Sequence, residues 1–128
     1  MAQPLVQFDT IEGNCPGHTI PNPSSGSPQP AGPLPFKAPL DSGLDISVQI
    51  NDKAAAVVGS SGKNATPHAG LHPSDVYGPP SNQIGNVMSG SPTVFVGGKP
   101  IATTDSLVTM CAGVAGKGKS TVSNVKIG

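Results

Sequence analysis

Bulky apolar side chains are scarce in this chain of 128 residues. Tryptophan is missing, tyrosine occurs once and phenylalanine three times, so that aromatic residues make up only 3% of the sequence. Because aromatic side chains supply much of the buried area of ordinary globular cores, a deep conventional core is not expected. The length fits one domain, which we place over residues 1–128.

Charge is equally scarce, and arginine is absent. Only 11% of the residues are charged, and seven lysines balance seven acidic residues. Since disordered chains are usually kept in solution by charge, this composition argues against simple disorder. The balanced charge also predicts no basic patch, so nucleic acid is not an expected partner.

The sequence also lacks the signals for membrane insertion and secretion. No stretch of 18 apolar residues is present, and residues 1–9 contain neither the basic nor the apolar segment of a signal peptide. We therefore expect a cytoplasmic protein that leaves the cell only inside another machine. In a reducing cytoplasm, Cys15 and Cys111 are expected to be thiols or metal ligands rather than a disulfide.

Glycine and proline are abundant, and together they make up a quarter of the residues. This abundance is typical of short strands that are joined by tight turns. The clearest example is a predicted hairpin in which residues 93–96 and 99–104 are short extended runs. Gly97 and Gly98 lie between the runs and can adopt the positive φ angles that a two-residue turn requires.

A second hairpin is predicted over residues 44–58, with Asn51 and Asp52 at its turn. Residues 44–50 alternate between apolar and polar side chains, which indicates a half-buried strand. The two hairpins form an internal repeat of about 46 residues, and a partial third copy is predicted in residues 119–128. Five positions of the first hairpin match five of the second: Val48, Ile50, Lys53, Ala56 and Ser60 match Val94, Val96, Lys99, Ala102 and Ser106.

The second hairpin carries a family resemblance. The stretch from Gly90-Ser91-Pro92 through the glycine turn to Lys99 resembles the repeat of PAAR proteins, which cap the spike of type VI secretion systems and related contractile injection systems. In the usual repeat the turn is followed by proline, alanine, alanine and arginine. Residues 100–103 read Pro-Ile-Ala-Thr here, so the chain is PAAR-like and lacks the arginine. The resemblance covers residues 40–128.

The predicted fold is all-β. Short hairpins would be arranged about a pseudo-threefold axis into a small cone, because small side chains can pack closely around such an axis. Residues 15–39 contain eight of the fifteen prolines. Neither a helix nor a central strand tolerates that density, so this segment is predicted to be a proline-rich loop or arm inserted in the domain.

Histidine and cysteine provide the candidate chemistry. His68 and His72 lie in a loop that Pro67, Gly70 and Pro73 keep from becoming a helix, and the loop lacks the glutamate of a zinc protease. Three imidazoles and one thiolate would fill a tetrahedral zinc site and leave no position for a catalytic water, so the zinc would be structural. The alternative is that these are separate surface histidines and a buried thiol.

The resemblance implies a zinc ion near the apex of the cone. It points to four ligands, which are His18, His68, His72 and Cys111. Two alternatives remain for Cys15, namely that it replaces one histidine as a ligand or that it pairs with Cys111 outside the cell.

The function that the resemblance implies is mechanical rather than enzymatic. The protein would cap a trimeric spike protein of the valine-glycine-repeat type or its phage-tail counterpart. It would sharpen that spike, contact a target membrane transiently and carry a separate effector out of the producing bacterium. Two other classes remain open, namely a stand-alone metal-binding β-module that binds a protein and a small zinc enzyme.

Overall fold

The computed structural model describes residues 2–77, 79–110 and 114–127. Within these ranges the chain is all-β, as predicted, with one 3-10 turn at Pro80–Asn82 and no helix of the length and apolarity needed to cross a membrane. Twelve strands follow one another in chain order: β1 (Thr10–Cys15), β2 (Thr19–Pro21), β3 (Pro28–Pro30), β4 (Leu34–Pro39), β5 (Asp45–Ile50), β6 (Lys53–Ala55), β7 (Ser61–Lys63), β8 (Ile84–Val87), β9 (Phe95–Val96), β10 (Lys99–Pro100), β11 (Val108–Thr109) and β12 (Ala115–Lys119).

Six strands form one antiparallel sheet in the order β4-β1-β12-β11-β8-β7. Strand β1 has the longest pairing, because it is in register with β4 over its whole length and with β12 over three residues. Ile11 and Cys15 of β1 are buried, whereas Asn14 is exposed. Successive side chains of a strand point to opposite faces, so the inner face of this sheet encloses a core.

The sheet is nearly closed, because its two edge strands come together. The backbone N–H of Ala65 donates to the carbonyl of Lys37 at 2.8 Å, and the N–H of Asp41 donates to the carbonyl of Ser61 at 3.1 Å. Gly62 of β7 lies directly against the backbone of Pro39 in β4, where a Cβ atom would overlap the proline carbonyl. Glycine is therefore required at this closure for steric reasons.

Replacement of Gly62 should destabilise the closure of the sheet. We expect Gly62→Ala to lower the free energy of unfolding by about 2 kcal/mol, since the new methyl group meets backbone atoms that cannot rotate away. Urea denaturation would measure the loss. Lys63→Ala, on the exposed side of the same strand, is the control, and an equal effect of both variants would contradict this role of Gly62.

The proline-rich segment is more regular than the sequence predicts. Residues 19–30 form the β2–β3 hairpin, and residues 34–39 form β4. The prediction of a loop or arm over residues 15–39 therefore missed three strands. The physical reason is position: β4 lies at an edge of its sheet, where a proline that lacks an N–H removes no hydrogen bond from a central ladder.

Both predicted hairpins are present, in shorter form. Strands β9 and β10 are joined by Gly97 and Gly98, whose φ angles are 59° and 84°. Strands β5 and β6 are joined by Asn51 and Asp52, which also have positive φ angles. The prediction of a half-buried face on β5 was wrong, because a register shift interrupts this strand and leaves Ile46 79% exposed.

Three separate segments are joined by a closed cycle of backbone hydrogen bonds. The N–H of Leu5 donates to the carbonyl of Ala102 at 2.9 Å, that of Ala102 to Ala56 at 2.8 Å, and that of Ala56 back to Leu5 at 3.0 Å. We call these residues the central ring. A second cycle runs in the opposite direction. Its donors Gln7, Val58 and Thr104 lie two residues after the ring members, and its acceptors Ala54, Pro100 and Gln3 lie two residues before them.

The same turn follows each member of the central ring. The turns span residues 6–9, 57–60 and 103–106, and in each the N–H of the last residue donates to the carbonyl of the first. The N–H of the first residue donates in return to the side-chain oxygen of the last, which is Asp9, Ser60 or Ser106. The predicted pairs Ala56 with Ala102 and Ser60 with Ser106 thus occupy matching places.

The third copy differs from the predicted one. Ile127 pairs with Ala2, so the two ends of the chain together take the place of a third hairpin, and Leu5 follows as the third ring member. Lys119, which we placed in the third copy, instead ends β12 of the six-stranded sheet.

Two small cores stabilise the fold. The larger lies inside the six-stranded sheet and the smaller beneath the two hairpins. Alanine and valine make up much of both cores, which explains how the chain folds with so few aromatic residues. The larger core contains Leu5, Ile11, Cys15, Phe36, Ala38, Leu40, Ala56, Val87, Ala102, Val108 and Met110, and the smaller contains Ala55, Val57, Val96 and Ile101.

Candidate metal centre

Three buried side chains with metal-binding atoms meet at one end of the sheet. These are Cys15, His18 and His68, and their candidate ligand atoms all lie within 4.8 Å of one another. Cys15 is the last residue of β1, and His18 lies just before β2. His68 comes from the long connection between β7 and β8. We call this group the Cys-His cluster.

A carboxylate fixes the orientation of His18. The Nδ1 atom of His18 lies 3.1 Å from Oδ2 of Asp75, and the backbone N–H of Thr19 donates to the same oxygen at 3.1 Å. Histidines that bind metals commonly use their second ring nitrogen in this way, because the carboxylate sets the tautomer and the direction of the ring. Asp75 therefore supports His18 as a ligand through Nε2.

Gln83 holds the loop that carries His68. Its side chain is fully buried, and its Oε1 accepts hydrogen bonds from the N–H of His68 at 2.8 Å and from Nδ2 of Asn64 at 3.1 Å. Its Nε2 donates to the carbonyl of Tyr77 at 2.8 Å. A loop rich in proline and glycine thus acquires a fixed backbone at His68.

The environment favours the forms of these groups that bind metal. Burial lowers the pKa of His68, the nearby His18 lowers this pKa further, and Asp75 acts in the opposite direction. The imidazole is therefore neutral near pH 7, as a metal ligand must be. Burial alone would raise the pKa of Asp75, but hydrogen bonds from Tyr77, Thr19 and His18 lower it overall.

Rings pack around the cluster on two sides. The ring centres of His18 and His68 are 4.8 Å apart, and the Tyr77 ring lies edge-on to His18 at 5.7 Å. Phe36 lies 6.4 Å from His68 on the other side. These rings leave His18 only 2% and His68 only 8% exposed, so bulk water competes little for a bound ion.

The donor set suits a metal ion. Two imidazole nitrogens and one thiolate sulfur are typical of tetrahedral zinc sites. Ligand atoms around such an ion lie about 3.5 Å apart, so the cluster needs only a small inward movement from separations of up to 4.8 Å. Cys15, His18 and His68 can therefore hold a metal ion.

Metal binding depends on the oxidation state of Cys15. In this structure Cys15 is disulfide-bonded, so the expectation that it is a thiol or a metal ligand rather than part of a disulfide is wrong for this structure. Cys111, the partner that the second alternative named, lies outside the described residues. Zinc binds the thiolate, not a disulfide sulfur. The cluster therefore has a metal-competent form only when Cys15 is reduced.

The four predicted ligands divide into three groups. His18 and His68 come together as predicted. His72 is not brought into the Cys-His cluster, because its Nδ1 lies 2.7 Å from Oγ of Ser74 and its Nε2 lies 3.1 Å from the carbonyl of Gly26. Cys111 lies outside the described residues.

Asp75 and Gln83 were missed by the sequence analysis. Both lie between β7 and β8, many residues from the histidines that they support, and neither belongs to a motif with fixed spacing. One signal for this site is present in the sequence, which is the close spacing of Cys15 and His18. Only Pro16 and Gly17 separate these two potential ligands. Compared with models of known protein families, with curated proteins and with solved structures, the chain matches none.

Proposed function

We propose that the chain is a structural spike-tip protein that caps the trimeric spike of a contractile injection system. The observation that carries this proposal is the closed cycle of the central ring, in which Leu5, Ala56 and Ala102 make the same hydrogen bonds in turn. Three segments that are bonded in a cycle within one chain fit the proposed pseudo-threefold axis. A monomer with such an axis can present one similar surface to each subunit of a trimer.

The placement of the other elements gives the two ends of the molecule different roles. The β5–β6 and β9–β10 hairpins precede Ala56 and Ala102 of the central ring in the chain, and the pair of Ala2 with Ile127 precedes Leu5. Strand β1 follows the ring member Leu5 and its turn in the chain, and it ends at Cys15 after six residues, a length of about 20 Å. We assign the hairpin end as the base and the Cys-His cluster as the tip of a small cone.

The base carries side chains suited to a protein partner. Phe95 is 56% exposed and Ile46 79% exposed on the two hairpins. The return strands β6 and β10 already accept hydrogen bonds from neighbouring segments at Ala54 and Pro100. Among the described strands β5 and β9 pair only with β6 and β10, so their outer edges can extend the strands of a partner by backbone pairing. An interaction of this kind needs little side-chain specificity, so the two hairpins and the paired chain ends can meet three identical subunits although they differ from one another.

The metal at the tip would have a mechanical role. One zinc ion would join buried ligands from three segments, which are β1, the β1–β2 connection and the loop between β7 and β8. The ion would stabilise a tip that has few bulky residues. A rigid tip is the part that a puncturing device needs to contact a target membrane first.

Co-purification with a spike trimer tests the proposal. We expect the tagged chain to retain a trimeric valine-glycine-repeat spike protein from the bacterium that produces it. Phe95→Asp should weaken this complex about tenfold or more, because a charge replaces an apolar contact in the interface. Leu107→Asp, a similarly exposed position outside the hairpins, is the control. A chain that retains no spike protein in any form would favour a stand-alone metal-binding module.

A further inference from the structure

A lysine-lined groove crosses the outer face of β4, β1 and β12, and nothing in the proposed function uses it. Its volume is about 630 Å³. The balanced composition predicted no basic patch, but the fold brings three of the seven lysines into this groove. Ten residues line it, of which the charged ones are Glu12, Lys37, Lys117 and Lys119.

The strand register explains how the lysines come together. Glu12 lies opposite Lys37 on one neighbouring strand and opposite Lys117 on the other. Lys119 lies opposite Thr10. Residues that are directly opposite in neighbouring strands share a face of the sheet, so all three ammonium groups project from the outer face.

The positive charge of the groove is not neutralised from within. No described lysine forms an ion pair, and the carboxylate of Glu12 instead accepts a hydrogen bond from the Thr10 hydroxyl at 2.5 Å. Three ammonium groups thus face one carboxylate. The rest of the sequence carries four lysines and six acidic residues, which leaves this face the positive pole of a neutral molecule.

We propose that this groove binds an extended acidic peptide segment of a partner protein. Lys117 and Lys119 are two residues apart on one strand, so their side chains repeat at about 7 Å. Acidic residues at alternate positions of an extended peptide have the same spacing. Lys37 faces the peptide from the other side of Glu12, and the groove lining also includes Asn14 and Thr66, which can bond to a peptide backbone.

The central carboxylate favours a peptide over a polyphosphate or a nucleic acid. A phosphodiester chain placed between Lys37 and Lys117 would bring its charges against Glu12, whereas a peptide can offer N–H donors there. Arginine, which forms bidentate bonds with phosphate, is absent from the sequence. The groove lies on the side of the sheet and not on the hairpins, so a bound peptide leaves the proposed base free.

The test is a binding titration with the whole protein. The probe is the fluorescein-labelled peptide Gly-Asp-Ser-Asp-Ser-Asp-Gly, with fluorescence anisotropy as the readout at low salt. We expect saturable binding with a dissociation constant below about 1 mM, and weaker binding as salt screens exposed charges. The same peptide with asparagine in place of aspartate should not bind.

Two double variants decide whether the groove is the site. Lys117→Ala with Lys119→Ala should weaken binding about fivefold or more, since exposed ion pairs are individually weak. Lys53→Ala with Lys99→Ala removes the same charge from the two hairpins and should have little effect. Glu12→Gln should strengthen binding about twofold. Thermal melting of each variant establishes that it is folded.

Several outcomes would overturn the proposal. Equal losses in the two double variants would mean that the peptide responds only to net charge. Equal binding of the asparagine peptide would exclude recognition of carboxylates. An oligothymidylate that binds more tightly than the acidic peptide would assign the groove to nucleic acid, and an absence of saturation would show that it is not a binding site.

Discussion

Removal of zinc from the reduced protein is expected to lower its melting temperature by roughly 15 °C. Structural zinc can contribute on the order of 10 kcal/mol to the folding of small domains. This chain also has two apolar cores, so we expect a smaller loss of about 4 kcal/mol, which corresponds to this shift for a domain of this size. Calorimetry before and after chelation would measure it.

Metal analysis of single variants identifies the ligands. The reduced protein should contain one zinc ion per chain, and Cys15→Ser, His18→Ala and His68→Ala should each lose most of it. His72→Ala is the informative comparison, because the sequence placed His72 among the ligands and the structure places its ring against Ser74 and Gly26. Retention of zinc in this variant is expected.

Oxidation should compete with the metal. Because Cys15 is disulfide-bonded in this structure, the oxidised protein is expected to contain little zinc and the reduced protein to take it up. Stoichiometric zinc in a fully oxidised sample would show that Cys15 is not a ligand. An absence of zinc in a reduced, folded sample would show that the Cys-His cluster is not a zinc site.

The second large effect is expected at the central ring. Leu5 and Ala56 are both fully buried in the larger core, and their backbones are joined by a hydrogen bond of 3.0 Å. Leu5→Ala should cost about 3 kcal/mol through the cavity that it leaves. Ala56→Leu should cost about 2 kcal/mol through overpacking.

The combination of the two changes is the sharper test. If both side chains fill one space beside the pseudo-threefold axis, the double variant restores the volume and should recover about 1–2 kcal/mol of the summed loss. Val122 is buried but belongs to neither core cluster, so Val122→Ala combined with Ala56→Leu is the control and should be additive. If the losses of unfolding free energy were strictly additive in both double variants, Leu5 and Ala56 would not share one space beside the axis.

The hairpins could be predicted because their turns are local. Gly97 with Gly98 and Asn51 with Asp52 provide positive φ angles within a few residues of the strands that they join. The internal repeat of about 46 residues could also be predicted, because each of its two copies is one uninterrupted segment of the chain. The third copy was misplaced because its strands come from opposite ends of the chain, and a search along the sequence cannot join Ala2 to Ile127.

The strands within residues 15–39 could not be predicted for a similar reason. The rule that proline excludes a central strand is local, whereas the edge position of β4 depends on the whole sheet. In the candidate site, His18 and His68 could be named from their residue types alone. Asp75 and Gln83 could not, because their roles arise from contacts between distant parts of the chain.

The stoichiometry of the spike complex tests the central claim most directly. Native mass spectrometry of the chain with its trimeric spike protein should give one chain per trimer, because the three segments around Leu5, Ala56 and Ala102 would each meet one subunit. A complex with three chains per trimer, or no complex at all, would contradict the account of a monomer that caps a threefold spike.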